Sequence, residues 1–465
     1  MAAANGPVVK LSLFHLTWPI FLELFLFMLM GLADTFMLSA LSDQAVSGVG
    51  TANQYIQIAI LVLEVVGNGA AIVVAQYLGS RRYIEAAKIS ALAVSLNLLA
   101  GLVISGVFLL FTSQMMRAMN LQGEVLAHAE AYLVIVGGGI FLQAIINALA
   151  AIIRVHGFTK QTMFVSLGMN IIHVIGNYAL IFGKFGMPAL GVKGAAISSV
   201  GSRLVAVVFF LWLLYKVLDY RIDFKFYFTW SKEYIGKILH IGLPSAFEQV
   251  LYQACQIVFL YYVTYLGTEA LAARQYATNV SMFSYLFALA IGLGTSIITG
   301  RMVGSGQKEE VYHQVWKSLR RALVMTAVMV VIVMTIRYPL MRLFTDNEAI
   351  IELGAKVLLL SCLLETGRTV NMVIINSLRA AGDAKFPVLM GAISMVLISL
   401  PLGYFLVFVM DLGLIGVWLA IATDEWIRAV SMALRWKSRA WERYALVEAP
   451  ESVVPAEQSA TPDVV

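Results

Sequence analysis

The sequence predicts an all-α integral membrane protein, with twelve transmembrane helices in two six-helix bundles related by a parallel, pseudo-two-fold repeat. Three observations carry this. Only 13% of the 465 residues are charged and 60% are hydrophobic, whereas soluble domains carry about a quarter charged residues, so a water-soluble globule of this size could not be coated. Apolar segments of about twenty residues, each long enough for a hydrocarbon core of roughly 30 Å, recur from Leu11 to Arg435. A shift of 225 residues brings unusual residues of the two halves into register.

Taken in chain order, apolar windows bounded by polar, glycine and proline breaks place helices at 15–39, 52–78, 88–111, 126–152, 162–184 and 192–217. They continue at 238–266, 277–303, 318–343, 352–377, 387–410 and 414–436. The first bundle is therefore 1–215 and the second 238–440. Between them, residues 216–237 form a basic linker containing Trp230 and Tyr234, expected to lie along the cytoplasmic surface, and the proline-bearing stretch 441–465 is expected to be a disordered tail. No basic region with a cleavable small-residue site precedes the first apolar segment, so that helix is expected to be retained.

Orientation follows from the basic residues, because cytoplasmic loops retain positive charge. Most of the 32 Lys and Arg lie on one side, in the loops around Arg81 and Arg82, Arg154 and Lys160, Lys216 to Lys237, Arg301 to Arg321, Arg379 and Lys385, and Arg435 to Arg443. The other side holds Arg117, Lys184, Lys193, Arg274, Arg337 and Arg342. Both termini are expected in the cytoplasm, with the chain in the inner (plasma) membrane.

The shift of 225 carries His15, Pro19 and Glu23 onto His240, Pro244 and Glu248, Gly67 and Gly69 onto Gly292 and Gly294, and Gly79, Ser80 and Glu85 onto Gly304, Ser305 and Glu310. It also carries Arg154, Gly157 and Lys160 onto Arg379, Gly382 and Lys385. Chance matching of apolar text would not align Pro, Gly and His in this way. An even number of spans per half gives both halves the same orientation, the parallel-repeat arrangement found among secondary transporters, with a cavity between bundles that rock against each other.

Other classes are disfavoured. A net charge of +5 could suggest nucleic acid, but no Lys and Arg cluster sits on an aromatic-rich soluble module. Cys255 and Cys362 both fall inside apolar segments and read as free thiols. No HExxH, GxSxG or P-loop pattern occurs, so an intramembrane hydrolase or nucleotide-driven pump is not expected, and no selectivity-filter sequence suggests a channel. No cofactor is expected. The partners implied are the bilayer and small molecules, with the chain a monomer.

The first helix, PIFLELFLFMLMGLADTFMLSAL, and the following GNGAAIVVAQYLGSRRYIEAAK closely resemble the multidrug and toxic compound extrusion (MATE) family. So do IRVHGFTK, NIIHVIGNYALIFGKFG and GVKGAAISSVGSR in the first half, and LPSAFEQ, GTSIITGRMVGSG and LRAAGDAKFP in the second. LRAAGDAKFP with DEWIRA resembles the DinF branch. The resemblance spans about residues 10 to 440 and implies cation-coupled export of amphipathic, usually cationic organic compounds. Sodium-coupled export, or flipping of lipid-linked oligosaccharides as elsewhere in the superfamily, are the alternatives.

Ionisable groups at membrane depth cost about 2.5 to 3.5 kcal/mol on insertion scales and mark candidate ion paths. Asp34 lies in the outer third of the first helix, with Asn177 at similar depth in the fifth and Ser198 and Ser199 in the sixth. A carboxyl held there away from bulk water can load and release a proton, making H+ the coupling ion. The resemblance agrees, since Asp34 matches the family's first-helix acid, Asn177 an Asn or Asp in the fifth helix and Ser199 a hydroxyl in the sixth. His173, one turn before Asn177, is a second relay candidate.

Glu23 and Glu248 each follow a proline by four residues. They either serve the carbonyl that the proline leaves free or face the cavity and attract cations. In sodium-coupled relatives the seventh-helix acid has an acidic partner in the tenth helix, where this chain reads Arg368. A cation there could pair with Glu248 or Glu365 and favours proton over sodium. Asp424, Glu425 and Arg428 sit at i, i+1 and i+4, a spacing for an internal ion pair, while Arg203 and Glu64 could pair across the first bundle. Phe27, Met30, Met37, Tyr55 and Tyr252 are candidate cavity residues, since methionine adapts to varied shapes and aromatic faces attract organic cations.

Overall fold

In the computed structural model, which describes residues 12–218 and 222–449, the apolar segments fold as long helices. The first half contains α1 (Leu13–Ser39), α2 (Asp43–Gly79), α3 (Tyr83–Ala118), α4 (Gly123–Gly138), α5 (Ile140–Val155), α6 (Thr159–Phe182) and α7 (Val192–Val217). A 3₁₀ turn at Phe224–Phe228 leads into the second half. That half contains α8 (Lys232–Thr264), α9 (Thr268–Gly304), α10 (Lys308–Thr335), the short α11 (Arg337–Arg342), α12 (Glu348–Ala380), α13 (Lys385–Ala392), α14 (Leu400–Tyr404) and α15 (Gly413–Lys437). Wider π turns at Ile393–Ser399 and Phe405–Val409 join α13 and α14 into one span around Pro401, where a proline cannot donate to the helical ladder.

Counting α4 with α5 and α13 with α14, the described residues make the twelve expected spans. Eight helical spans are apolar enough to cross a membrane on composition alone, and the α4–α5 pair makes a ninth. The other three, α8, α12 and α15, run for 33, 33 and 25 residues, about 37 Å or more at 1.5 Å per residue. They carry the buried charges of the second lobe.

Two expected helices differ: the ninth, read as 318–343, breaks at Ile336 between α10 and α11. The fourth span, read as unbroken from 126 to 152, bends by 46° between α4 and α5. The bend falls on Gly137, Gly138 and Gly139, a run of the weakest ordinary helix formers, where Val200 of α7 approaches Gly139 too closely to admit a β carbon.

The first residues of the expected tail are ordered. Ala440–Arg443 forms a 3₁₀ turn after Arg439 reverses the chain at φ 59°, laying Trp441 flat on Trp436 with ring centroids 4.4 Å apart. Trp441 is fully buried, and Val447 joins the same core. Residues 450–465 of the expected tail lie outside the described residues. Removing an indole from such a site costs about 3 to 5 kcal/mol, so Trp441→Ala is expected to free this segment. In detergent solution, tryptic cleavage after Arg439 and Arg443 should accelerate at least a hundredfold.

The buried apolar residues show how the lobes sit. At the end carrying the basic loops, one continuous core runs through both lobes, from Leu16, Val73 and Leu149 to Ile298, Leu378 and Trp436. At the other end the core divides in two, one part around Val49, Tyr132 and Ile181 and one around Phe259, Trp418 and Ile421. The lobes meet through α2 against α8 and α9 and through α1 against α9. They are closed together at the basic-loop end and separated by a cleft at the other. Phe21 stacks on Phe287 at 4.0 Å and Phe25 meets Phe283 at 6.4 Å where the lobes converge. Gln57, Glu64 and Asn68 on α2, with Gln275 and Asn279 on α9, are polar yet exposed at mid-helix, which marks a water-filled cleft and not a lipid face.

Candidate functional site

Helical spacing assembles the first site. His173 and Asn177 lie one turn apart on α6 and so share a face, which packs on α1. There the Asp34 carboxylate oxygen Oδ1 lies 2.6 Å from His173 Nε2 and accepts from Asn177 Nδ2 at 2.7 Å. The two α6 side chains touch, with Nδ2 and Nε2 3.1 Å apart. The His173 side chain is 3% exposed and that of Asp34 25%, so the carboxylate alone is open to solvent while its partners are sealed. Ser198 Oγ donates to the His173 carbonyl at 2.8 Å, fixing α7 to α6 behind the imidazole. Asn177 Oδ1 is buried without a hydrogen-bond partner.

Ser199 does not reach Asp34. Its hydroxyl donates back to the Ala195 carbonyl at 3.0 Å, the local bond a serine within a helix readily makes, and it faces Tyr132 of α4. Tyr132 stands among Ser199, Asn53 of α2, Arg203 and Asp34, with Arg203 itself within electrostatic reach of Asp34. Tyr132 and Asn53 carry no charge or motif and were not singled out from the sequence. Arg203 does not pair with Glu64 as suggested; the cation acting on Glu64 is Arg154.

The post-proline glutamates are placed alike by the repeat. Glu23 pairs with Arg154 at 3.3 Å and accepts from Ser166 Oγ at 2.8 Å, while Glu248 pairs with Arg379 at 2.6 Å. Both carboxylates are buried. The shift that superposes Glu23 on Glu248 superposes Arg154 on Arg379, so this pairing was implicit in the sequence.

The second lobe holds a chain of buried charges. Arg368 bonds Glu365 at 2.8 Å and approaches Glu425 at 3.5 Å, while Arg428 donates through Nε to Asp424 at 3.1 Å and forms ion pairs with Asp424 at 2.9 Å and Glu425 at 3.0 Å. Asn371 Nδ2 donates to Glu425 Oε2 at 2.7 Å and Ser394 Oγ to Asp424 Oδ1 at 2.6 Å. Arg368 also lies over the Tyr285 ring. Of the two partners suggested for Arg368, the structure brings Glu365 to it, with Glu248 engaged by Arg379.

Among the cavity candidates, Phe27 packs against the shared core and Met37 against the outer core of the first lobe. Tyr55 donates to the Met115 carbonyl at 3.3 Å. Met30 and Tyr252 are partly exposed, and Tyr252 lies within electrostatic reach of Arg274 and Arg368. Among the described residues no group of three His, Cys, Asp or Glu side chains is arranged to hold a metal ion.

The MatE family model matches the chain twice, over residues 19–179 and 244–405, starts that differ by the same 225 residues as the internal repeat. The chain is 40% identical over 430 residues to "Uncharacterized transporter YisQ" of Bacillus subtilis (strain 168), covering 92% of this chain and 94% of the relative. It is 28% identical over 442 residues to "Probable multidrug resistance protein NorM" of Thermotoga maritima, covering 95% of each. Its fold is similar to that in "Crystal structure of MATE in the bent conformation", with TM-score 0.86 at 20% identity over 93% of this chain and 96% of the other. It is also similar to that in "Outward-facing conformation of a multidrug resistance MATE family transporter of the MOP superfamily", with TM-score 0.85 at 20% identity and the same coverage.

Proposed function

Because the chain belongs to the MatE family, whose members are membrane transporters and not enzymes, we propose that it is a multidrug efflux antiporter exporting amphipathic, mostly cationic organic compounds in exchange for protons. The observation that carries the proton reading is Asp34, a carboxylate open to solvent whose two donors are buried behind it. Multidrug export is suggested by the names of the NorM relatives.

The basic-loop end faces the cytoplasm in this reading, so the described state opens outward. In it Asp34 is reached from outside. A proton arriving on the carboxylate cancels the charge that the Asn177 and His173 N–H groups address. The bonds between α1 and α6 thereby change with protonation, and α1 also carries Phe27 against the core shared by the two lobes. Closing the cleft and opening the cytoplasmic side then exchanges proton for substrate. A membrane potential of 100 mV supplies about 2.3 kcal/mol per charge and one pH unit about 1.4 kcal/mol, together enough for a gradient of roughly five-hundredfold in a neutral compound. A monovalent cation exchanged for one proton moves no net charge and draws on the pH term alone, about tenfold.

Sodium coupling is disfavoured by the Arg368 guanidinium among the acids of the second lobe. The test is dye efflux from proteoliposomes under imposed gradients. A pH gradient alone is expected to drive saturable efflux and a sodium gradient alone to drive none; the reverse result would overturn the proton reading.

A further inference from the structure

At the closed end the two lobes cap each other's helices. Gln76 on the last turn of α2 donates through Nε2 to the carbonyl of Ala380, the final residue of α12 in the other lobe, at 2.7 Å. Arg301 on the last turn of α9 donates through Nε to the carbonyl of Val155, the final residue of α5 in the first lobe, at 3.0 Å. The shift of 225 superposes Gln76 on Arg301 and Val155 on Ala380, so the two bonds are images of one another across the pseudo-two-fold axis.

The acceptors are the carbonyls that a helix cannot satisfy at its own C-terminus, where the negative end of the helix dipole also favours a cationic donor such as Arg301. No backbone N–H among the described residues bonds either carbonyl. The backbones meet next to these bonds. A β carbon on Gly79 would overlap the Arg301 carbonyl oxygen, and one on Gly304 would overlap that of Gln76. Each lobe thus lends a donor to the other, and glycine lets the ends of α2 and α9 touch.

One of the two bonds is reinforced. Gln76 Oε1 accepts the backbone N–H of Leu446 at 2.7 Å, from the segment that follows the Trp436 and Trp441 stack. Gln76 is fully buried and ties three pieces of chain: its own lobe, the α12 terminus and the C-terminal strap.

We infer that Gln76 and Arg301 are positioning residues of a gate at the basic-loop end, made by reciprocal capping of the opposite lobe, with the strap holding the Gln76 half. The caps form when this end is shut. They release carbonyls and donors to water when it opens, where both remain hydrogen-bonded, so the gate closes firmly without making opening prohibitive.

The inference rests on the alternating-access reading above, and its test needs neither substrate nor proton gradient. Spin labels at Ile84→Cys and Glu310→Cys, exposed positions of the two lobes at this end, report their separation in nanodiscs once Cys255 and Cys362 are replaced. Gly304→Ala and Gly79→Ala are each expected to move most molecules from the short to a long distance. Gln76→Ala with Arg301→Ala should lower the ratio of closed to open molecules about thirtyfold. Removing residues 445–465 should give a smaller shift in the same direction. Gly168→Ala, where a β carbon meets nothing within 4 Å, should leave the distribution unchanged. Unaltered short distances in Gly304→Ala, or in the Gln76 and Arg301 double variant should the glycine variant not accumulate, would overturn the gate. Distances that respond while efflux ignores the pH gradient would leave the gate standing and remove the proton reading instead.

Discussion

Asp34→Asn is expected to reduce pH-driven efflux at least about a hundredfold, the scale on which a positioned proton-transfer group acts, while leaving expression and thermal stability near those of the parent. Asparagine keeps the shape of the carboxyl and offers His173 and Asn177 an oxygen at the position of Oδ1, so the contacts of 2.6 and 2.7 Å have a replacement acceptor. What it lacks is a change of protonation. The variant should still bind dye, because the cleft residues Gln57, Glu64 and Asn68 are untouched. Efflux rate and equilibrium dye binding in the same proteoliposomes separate the two effects. Wild-type efflux under a pH gradient would remove Asp34 from the coupling step.

The largest stability effect is expected at Arg428. It bridges Asp424 and Glu425 at 2.9 and 3.0 Å, and all three groups are buried. Arg428→Ala leaves two carboxylates at membrane depth without their nearest cation, and removing one partner of a buried pair costs about 3 to 5 kcal/mol. The melting temperature in detergent should fall by roughly 5 to 10 °C, read by fluorescence-detected size exclusion after heating. Arg428→Lys retains the charge but not the fork that serves two acids at once, so it should fall between. Asp34→Asn is the internal comparison, since it should change transport and not melting.

Much of the architecture was legible because the repeat is written in residues that packing alone would not select twice. Pro19 and Pro244, or Gly79 and Gly304, fix the frame, and the family model re-enters the chain at the same interval. The geometry of the first site was legible for a similar reason: an i, i+4 pair on an apolar helix must share a face, so His173 and Asn177 had to lie together, and Asp34 was an acid of matching depth. Ser199 was misplaced because depth says nothing about rotation, and a helical serine has its own carbonyl as a competing acceptor.

Partners chosen by tertiary packing were harder. Tyr132 and Asn53 reach the Asp34 region from α4 and α2, and neither residue type stands out in an apolar helix. The Arg154 and Arg379 pairings were recoverable, since one shift aligned both members of each pair; Glu23 was nevertheless weighed without a cation and Glu248 against Arg368. The C-terminal strap was read from composition as a tail. Its ordering depends on the reversal at Arg439 and on two tryptophans five residues apart, a signal too short for composition to register.

The buried charges of the second lobe also bear on how the chain enters the bilayer during synthesis. In α12, Glu365 and Arg368 lie three residues apart, and in α15, Asp424 and Arg428 lie four apart, each pair already bonded along its own helix. These segments therefore leave the ribosome with a counter-ion on board, and the translocon meets a partly neutralised helix and not naked charge. Glu248 has no such companion: Arg379 arrives 131 residues later. The α8 segment therefore meets the translocon with its buried carboxyl uncompensated, and Glu248 gains its ion pair only once α12 is made.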